Sequence, residues 1–95
     1  MLSESETDMA YFKAQEPLAK GQFADAADAF YRCWARFQSA EFVENADSQA
    51  ATADDALTDC ISIVSRNLTP EERWNFLERH GFSSMDELIY ADKGG

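Results

Sequence analysis

His80 is the single histidine of this 95-residue chain, and Cys33 and Cys60 are its two cysteines. With one histidine, neither a His-based dyad nor a multi-His metal site is expected. Its place just before Gly81 suits a helix C-terminus, where the dipole favours a proton on the ring. The two cysteines match no metal or redox spacing. Both fall on apolar helix faces, where a thiol behaves as a small hydrophobe. Reduced, buried thiols are therefore expected, and a Cys33–Cys60 disulfide is the alternative if both face one core. Carboxylates recur at helical spacing in Glu4 with Asp8, Asp25 with Asp28, and Asp55 with Asp59. A carboxylate metal cluster inside a bundle uses inward Glu and a Glu-x-x-His pair, which is absent, so a solvated acidic face is the expectation. There is no Gly-rich phosphate loop, no nucleophile elbow and no Cys–His pairing with an orienting third group. The chain reads as non-enzymatic, without cofactor or metal.

Charge narrows the function further. Eighteen acidic residues against eight basic ones give a net charge of −10. Nucleic acid and anionic lipid are recognised through clustered Lys and Arg, and here the arginines are dispersed among acids. Direct nucleic-acid binding and membrane binding are thus not expected. A protein partner with a basic surface would relieve the self-repulsion; simple solubility is the other reason for such a balance. No signal peptide and no apolar run near membrane-spanning length are visible, which gives a cytoplasmic expectation.

The elements that would carry these groups are helices. Phe23, Ala26, Ala27, Phe30, Cys33, Trp34 and Phe37 form one helical stripe, the most aromatic in the chain. This second helix is expected from about Ala24 to Val43. Its outward side holds Asp25, Asp28, Arg32, Arg36 and Glu41, with Asp28 before Arg32 in the favourable i,i+4 order. Upstream, Ser3 with Glu6 and Ser5 with Asp8 are overlapping capping boxes. Tyr11, Ala14 and Leu18 form the first helix's face, with Met9 and Phe12 beside it. Pro17 is expected to kink or break that helix, and Gly21 to cap it.

Residues 44–54 are small and polar. A stripe running from Ala46 through Leu57, Cys60, Ile61 and Val64 to Leu68 allows a third helix from Asp47; Thr52 with Asp55 allows a later start near Ala53. Thr69-Pro70-Glu71-Glu72 is a capping box with proline at the first helical position. The helix that follows is expected to bury Trp74 and Leu77 with Phe76 alongside, and to end in a Schellman turn at His80-Gly81-Phe82. Ser84 with Glu87 caps a last short helix. No run alternates with period two. The fold expectation is all-α: a compact bundle of four to five helices with an N-terminal helical hairpin, one domain over 1–95, frayed at 1–4 and 92–95.

Gly21-Gln22-Phe23, Asp25-Ala26, Ala29-Phe30 and Cys33 resemble the second half of a tetratricopeptide repeat. The likeness covers about residues 10–37. Pro17 departs from the family's first helix and no second copy follows. What the resemblance implies is an antiparallel helical hairpin.

Three roles follow for such a chain. The first is a small regulatory or inhibitory protein that binds another protein through acidic and aromatic surface, one version being a nucleic-acid mimic. In composition it is like phage or mobile-element inhibitors of host machinery. Its contact residues would be Asp47, Asp54, Asp55 and Asp59 on the third helix, with Glu71, Glu72 and Glu78 as a second patch. Asp55 and Asp59 are like charges at i,i+4, which costs helix stability with no local return. The second is a homodimeric structural or adaptor module joined through Tyr31, Phe42 and Trp74. The third is a bundle holding a small molecule among Tyr11, Trp34 and Trp74.

Overall fold

The described residues form five helices, the last two starting where capping signals place them. The computed structural model describes residues 2–91, with α1 at Glu6–Ala19, α2 at Phe23–Ser39, α3 at Ala46–Arg66, α4 at Pro70–Arg79 and α5 at Met85–Ile89. The fold is all-α, and α1 and α2 form the N-terminal hairpin. Along that hairpin Glu6 meets Arg36, Thr7 meets Cys33 and Tyr11 meets Phe30, so the two helices are antiparallel. Thr7 meets Gln49, Asp8 meets Thr52 and Tyr11 meets Asp59, so α1 and α3 run in the same direction.

The α2 stripe lies in the core: Ala26, Ala27, Phe30, Cys33 and Trp34 are buried, and Phe23 and Phe37 pack at its edge. Ala14, Ala26, Ala27, Ala53 and Ala56 are all fully buried. Side chains this small let α1, α2 and α3 approach toward the short end of helix packing distances, roughly 8 Å between axes. Phe30 and Phe76 fill the remaining space, each contributing about 1.5–3 kcal/mol through burial. From the last two helices, α4 and α5, Phe76, Leu77 and Leu88 are buried in the same cluster. Both cysteines are free thiols within it.

Helix ends explain several departures from expectation. Pro17 does not end α1, because it sits in the last turn, where only one backbone bond is lost. The stop comes at Gly21, with φ +74°, and is a Schellman turn: Gln22 N–H donates to the Pro17 carbonyl at 2.8 Å and Gly21 N–H to Leu18 at 3.1 Å. The same turn closes α4, where Phe82 N–H reaches the Leu77 carbonyl at 2.8 Å and Gly81 N–H reaches Glu78 at 3.2 Å. Ahead of α4, Thr69 and Glu72 form the full capping box.

At the other helix ends the chain is less predictable. α2 stops at Ser39 rather than running to Val43. Val43 instead bridges in parallel to Leu2, with Leu2 N–H donating to the Phe42 carbonyl at 2.8 Å and Glu44 N–H to the Leu2 carbonyl at 3.2 Å. Leu2 is buried in this pairing. The expected fraying of 92–95 lies outside the described residues. Of the two overlapping boxes near the N-terminus, Ser3 N–H donates to Glu6 Oε2 at 2.6 Å, whereas the Ser5 side chain makes no cap bond.

The longer of the two alternatives for α3 is the one that forms. It starts after Asn45, which takes a left-handed conformation with φ 51°. Gln49 anchors this first turn from inside the protein. Fully buried, its amide nitrogen donates to the carbonyls of Ser3 at 2.8 Å and Glu44 at 2.5 Å, while its oxygen accepts from the Thr7 hydroxyl. Thr52 does not cap; its hydroxyl donates to Asp8 at 2.6 Å.

Candidate protein-binding surfaces

α3 carries its acids on two different sides. Asp47 and Asp54, seven residues apart, lie on one exposed stripe, and Asp55 is exposed beside them. None of the three takes part in an ion pair among the described residues. Asp59 is turned toward α1 and half-buried, and its Oδ2 accepts the Tyr11 hydroxyl at 2.5 Å. That bond, together with burial and the charges of Asp59 and Asp55, pushes the Tyr11 phenol up to about 12. The four aspartates expected to act together are thus three outward carboxylates and one that lines a cleft.

The second acidic patch is divided by its local duties. Glu72 Oε1 accepts Thr69 N–H at 3.0 Å to complete the α4 cap. Glu71 is exposed in the same first turn, where a carboxylate suits the helix dipole. Glu78, one heptad beyond Glu71, is exposed near the C-terminal end of the helix.

The three aromatic contact candidates also separate. Phe42 is 56% exposed in the loop after α2, and Trp74 is 55% exposed on α4. Burial of Trp74 with Leu77 was the expectation for α4; Phe76 and Leu77 are the buried pair, and Trp74 is left more than half exposed. Tyr31 is engaged internally. Its ring lies 4.4 Å from His80, 5.7 Å from Phe82, 5.8 Å from Trp34 and 6.0 Å from Phe76, centroid to centroid. Burial raises its phenol pKa. The small-molecule arrangement of Tyr11, Trp34 and Trp74 does not assemble: Tyr11 lies against Phe30 and Asp59, Trp34 against Tyr31, and Trp74 faces solvent.

His80 was not expected to have a side-chain acid partner, yet its Nε2 lies 2.8 Å from Asp28 Oδ1, while Arg79 reaches Asp28 Oδ2 at 3.2 Å. Asp28 therefore ties α2 to the end of α4 instead of pairing with Arg32 along its own helix. One turn of helix was a weaker attraction than the Arg79 guanidinium and the His80 ring delivered by a neighbouring element. Cys60 is fully buried, and burial pushes its thiol up to about 12. Burial likewise raises Cys33 to about 11. Among the described residues, no three His, Cys, Asp or Glu side chains are grouped to hold a metal ion, and no helix is long and apolar enough to cross a membrane.

Two surface features escaped the sequence reading. Met9 and Phe12 are 54% and 74% exposed on one side of α1, three residues apart and off the Tyr11–Ala14–Leu18 stripe. Their offset from that stripe was the available signal. The other is an open groove of about 420 Å³ between α1 and α3, with Phe30 of α2 in its lining and Asp59 on its rim. Comparison of the chain with protein-family models, curated proteins and solved structures found no match in any of the three.

Proposed function

We propose that this chain is a non-enzymatic cytoplasmic protein that binds another protein and regulates or inhibits it, through acidic α3 surface set against a basic partner. One observation carries the reading: Asp47, Asp54 and Asp55 stand exposed on α3 with no cation of the described residues paired to them, in a chain of net charge −10. Such carboxylates add self-repulsion to the isolated protein and lose it against a cationic surface. A partner that normally holds nucleic acid has such a surface, so this protein would act there as a mimic of phosphates. Composition of this kind is like that of phage or mobile-element inhibitors.

The test is capture of a basic protein from lysate of the source organism, compared with the Asp47→Lys/Asp54→Lys variant. Capture that weakens at high salt and disappears in the variant supports the reading. Capture unchanged by both overturns it. The exposed Phe42 and Trp74 favour a second reading, a homodimer joined through aromatic surface. A salt-independent dimer in light scattering, lost on Trp74→Ala, would select it.

A further inference from the structure

The groove between α1 and α3 combines three features that belong together chemically. Its inner surface is apolar, with Leu18 and Ala19 accessible and Ile63 and the buried Phe30 behind them. Its rim supplies oxygen acceptors from Gln15, Ser62, Asn67 and Asp59. No lining residue is basic. The volume, about 420 Å³, falls within the range of small-ligand clefts, and the groove is open to solvent along its length.

Asp59 sets the polarity. Tyr11 occupies its Oδ2, while Oδ1 accepts no hydrogen bond from the described residues. Asp55, one helical turn earlier, adds a second negative charge felt at the same phenol. A neutral apolar guest would bury that carboxylate without compensation, which is costly. An anion would be repelled. The fitting guest has a hydrocarbon stem and a cationic, donor-rich head.

We propose that this groove receives one arginine side chain of a protein partner, the guanidinium at Asp59 and the methylene stem over Leu18, Ala19 and the edge of Ile63. The inference rests on the basic-partner reading above and gives it a specific point of contact. Arginine fits better than lysine because its planar fork carries five donors, and four acceptor-bearing side chains line the rim; an ammonium has three donors and is more strongly hydrated. The outward acids Asp47 and Asp54 would attract the partner from a distance, and the groove would select its arginine.

N-acetyl-arginine methylamide is the probe, with its citrulline and lysine counterparts as controls, read by amide shifts in NMR titration. The arginine compound is expected to move Gln15, Ser62 and Asn67 saturably. The citrulline analogue, isosteric but uncharged, should bind about tenfold more weakly or worse. Asp59→Asn should lose the same factor. Ala19→Phe, which fills the groove without changing its charge, should abolish binding while the rest of the spectrum stays that of the folded protein. In the wild type, saturation with arginine should lower the pH at which Tyr11 ionises, since the cation offsets the charge that holds its proton. Equal binding of citrulline or lysine, shifts confined to other surfaces, or an unaffected Asp59→Asn variant would overturn the assignment. Failure here with salt-sensitive protein capture intact overturns the arginine site alone. Arginine binding in a wild type that captures no basic protein overturns the regulatory reading and leaves the site standing.

Discussion

Replacing Gln49 by leucine tests whether one buried amide holds the N-terminal segment, the α2–α3 loop and α1 in register. Gln49 is fully buried and makes three hydrogen bonds, two donated to the Ser3 and Glu44 carbonyls and one accepted from Thr7. Leucine is of similar size and removes all three. At about 1 kcal/mol net for each bond, the loss is roughly 3 kcal/mol. The Thr7 side chain, itself only 3% exposed, is then left without its partner, which keeps the value from falling lower. For a domain of this size each kcal/mol moves Tm by about 4–8 °C, so a fall of roughly 12–24 °C is expected by circular dichroism. Hydrogen exchange should localise the damage: the amides of Leu2 and Glu44, bonded across the Leu2–Val43 bridge, should lose protection before those of α2. Thr7→Val should cost less, and the double variant Thr7→Val/Gln49→Leu should cost less than the two changes added, because they share a bond. A Tm change under about 4 °C, or additive single effects, would refute the reasoning.

Other outcomes follow from the same geometry. Tyr11 ionises at about 12 in the folded protein against an ordinary value of 10.0. Its raised value contributes stability that is complete below about pH 10 and is lost as the pH rises toward 12; Tyr11→Phe should remove this alkaline step from both the stability profile and the ultraviolet phenolate titration. Cys33 and Cys60, buried with raised pKa values, should resist a thiol reagent at neutral pH until denaturant is added; a full equivalent of reactive thiol in native protein would contradict their placement. Thr69→Ala should cost about 1 kcal/mol by removing the α4 cap, lowering Tm by roughly 4–8 °C.

Local signals in the sequence carried most of the architecture. The aromatic stripe of α2, the Thr69–Glu72 box and the two glycine-closed turns each combine a residue type with a helical spacing, and each needs little from the rest of the chain. What stayed illegible depended on distant partners. Val43 leaves the helical pattern because Leu2 pairs with it, and Gln49 is buried because three chain segments supply its bonds; neither cause lies within a few residues. Asp28 looked outward because Arg32 was its nearest cation along the helix, whereas tertiary packing brought His80 and Arg79. The acidic surface was legible as charge. Its division into outward Asp47 and Asp54 and inward Asp59 was not, because the separation depends on where α1 lies.

The two tryptophans lie in opposite surroundings. Trp34, on α2, is 8% exposed and its buried Nε1 has no hydrogen-bond partner, whereas Trp74, on α4, is 55% exposed. An indole shielded from water emits at shorter wavelength than a hydrated one, so the protein's fluorescence carries two colours, one from each side of the seam that Asp28, Arg79 and His80 hold together. A soluble quencher will reach Trp74 first and leave the blue component. If the core around Trp34 were to open, the blue component would redden as water reached it, while Trp74 would change little. A protein that docked over α4 would instead shield the red component and leave the blue one as it was. The chain thus has a built-in optical means of telling the opening of its own core from the arrival of a partner.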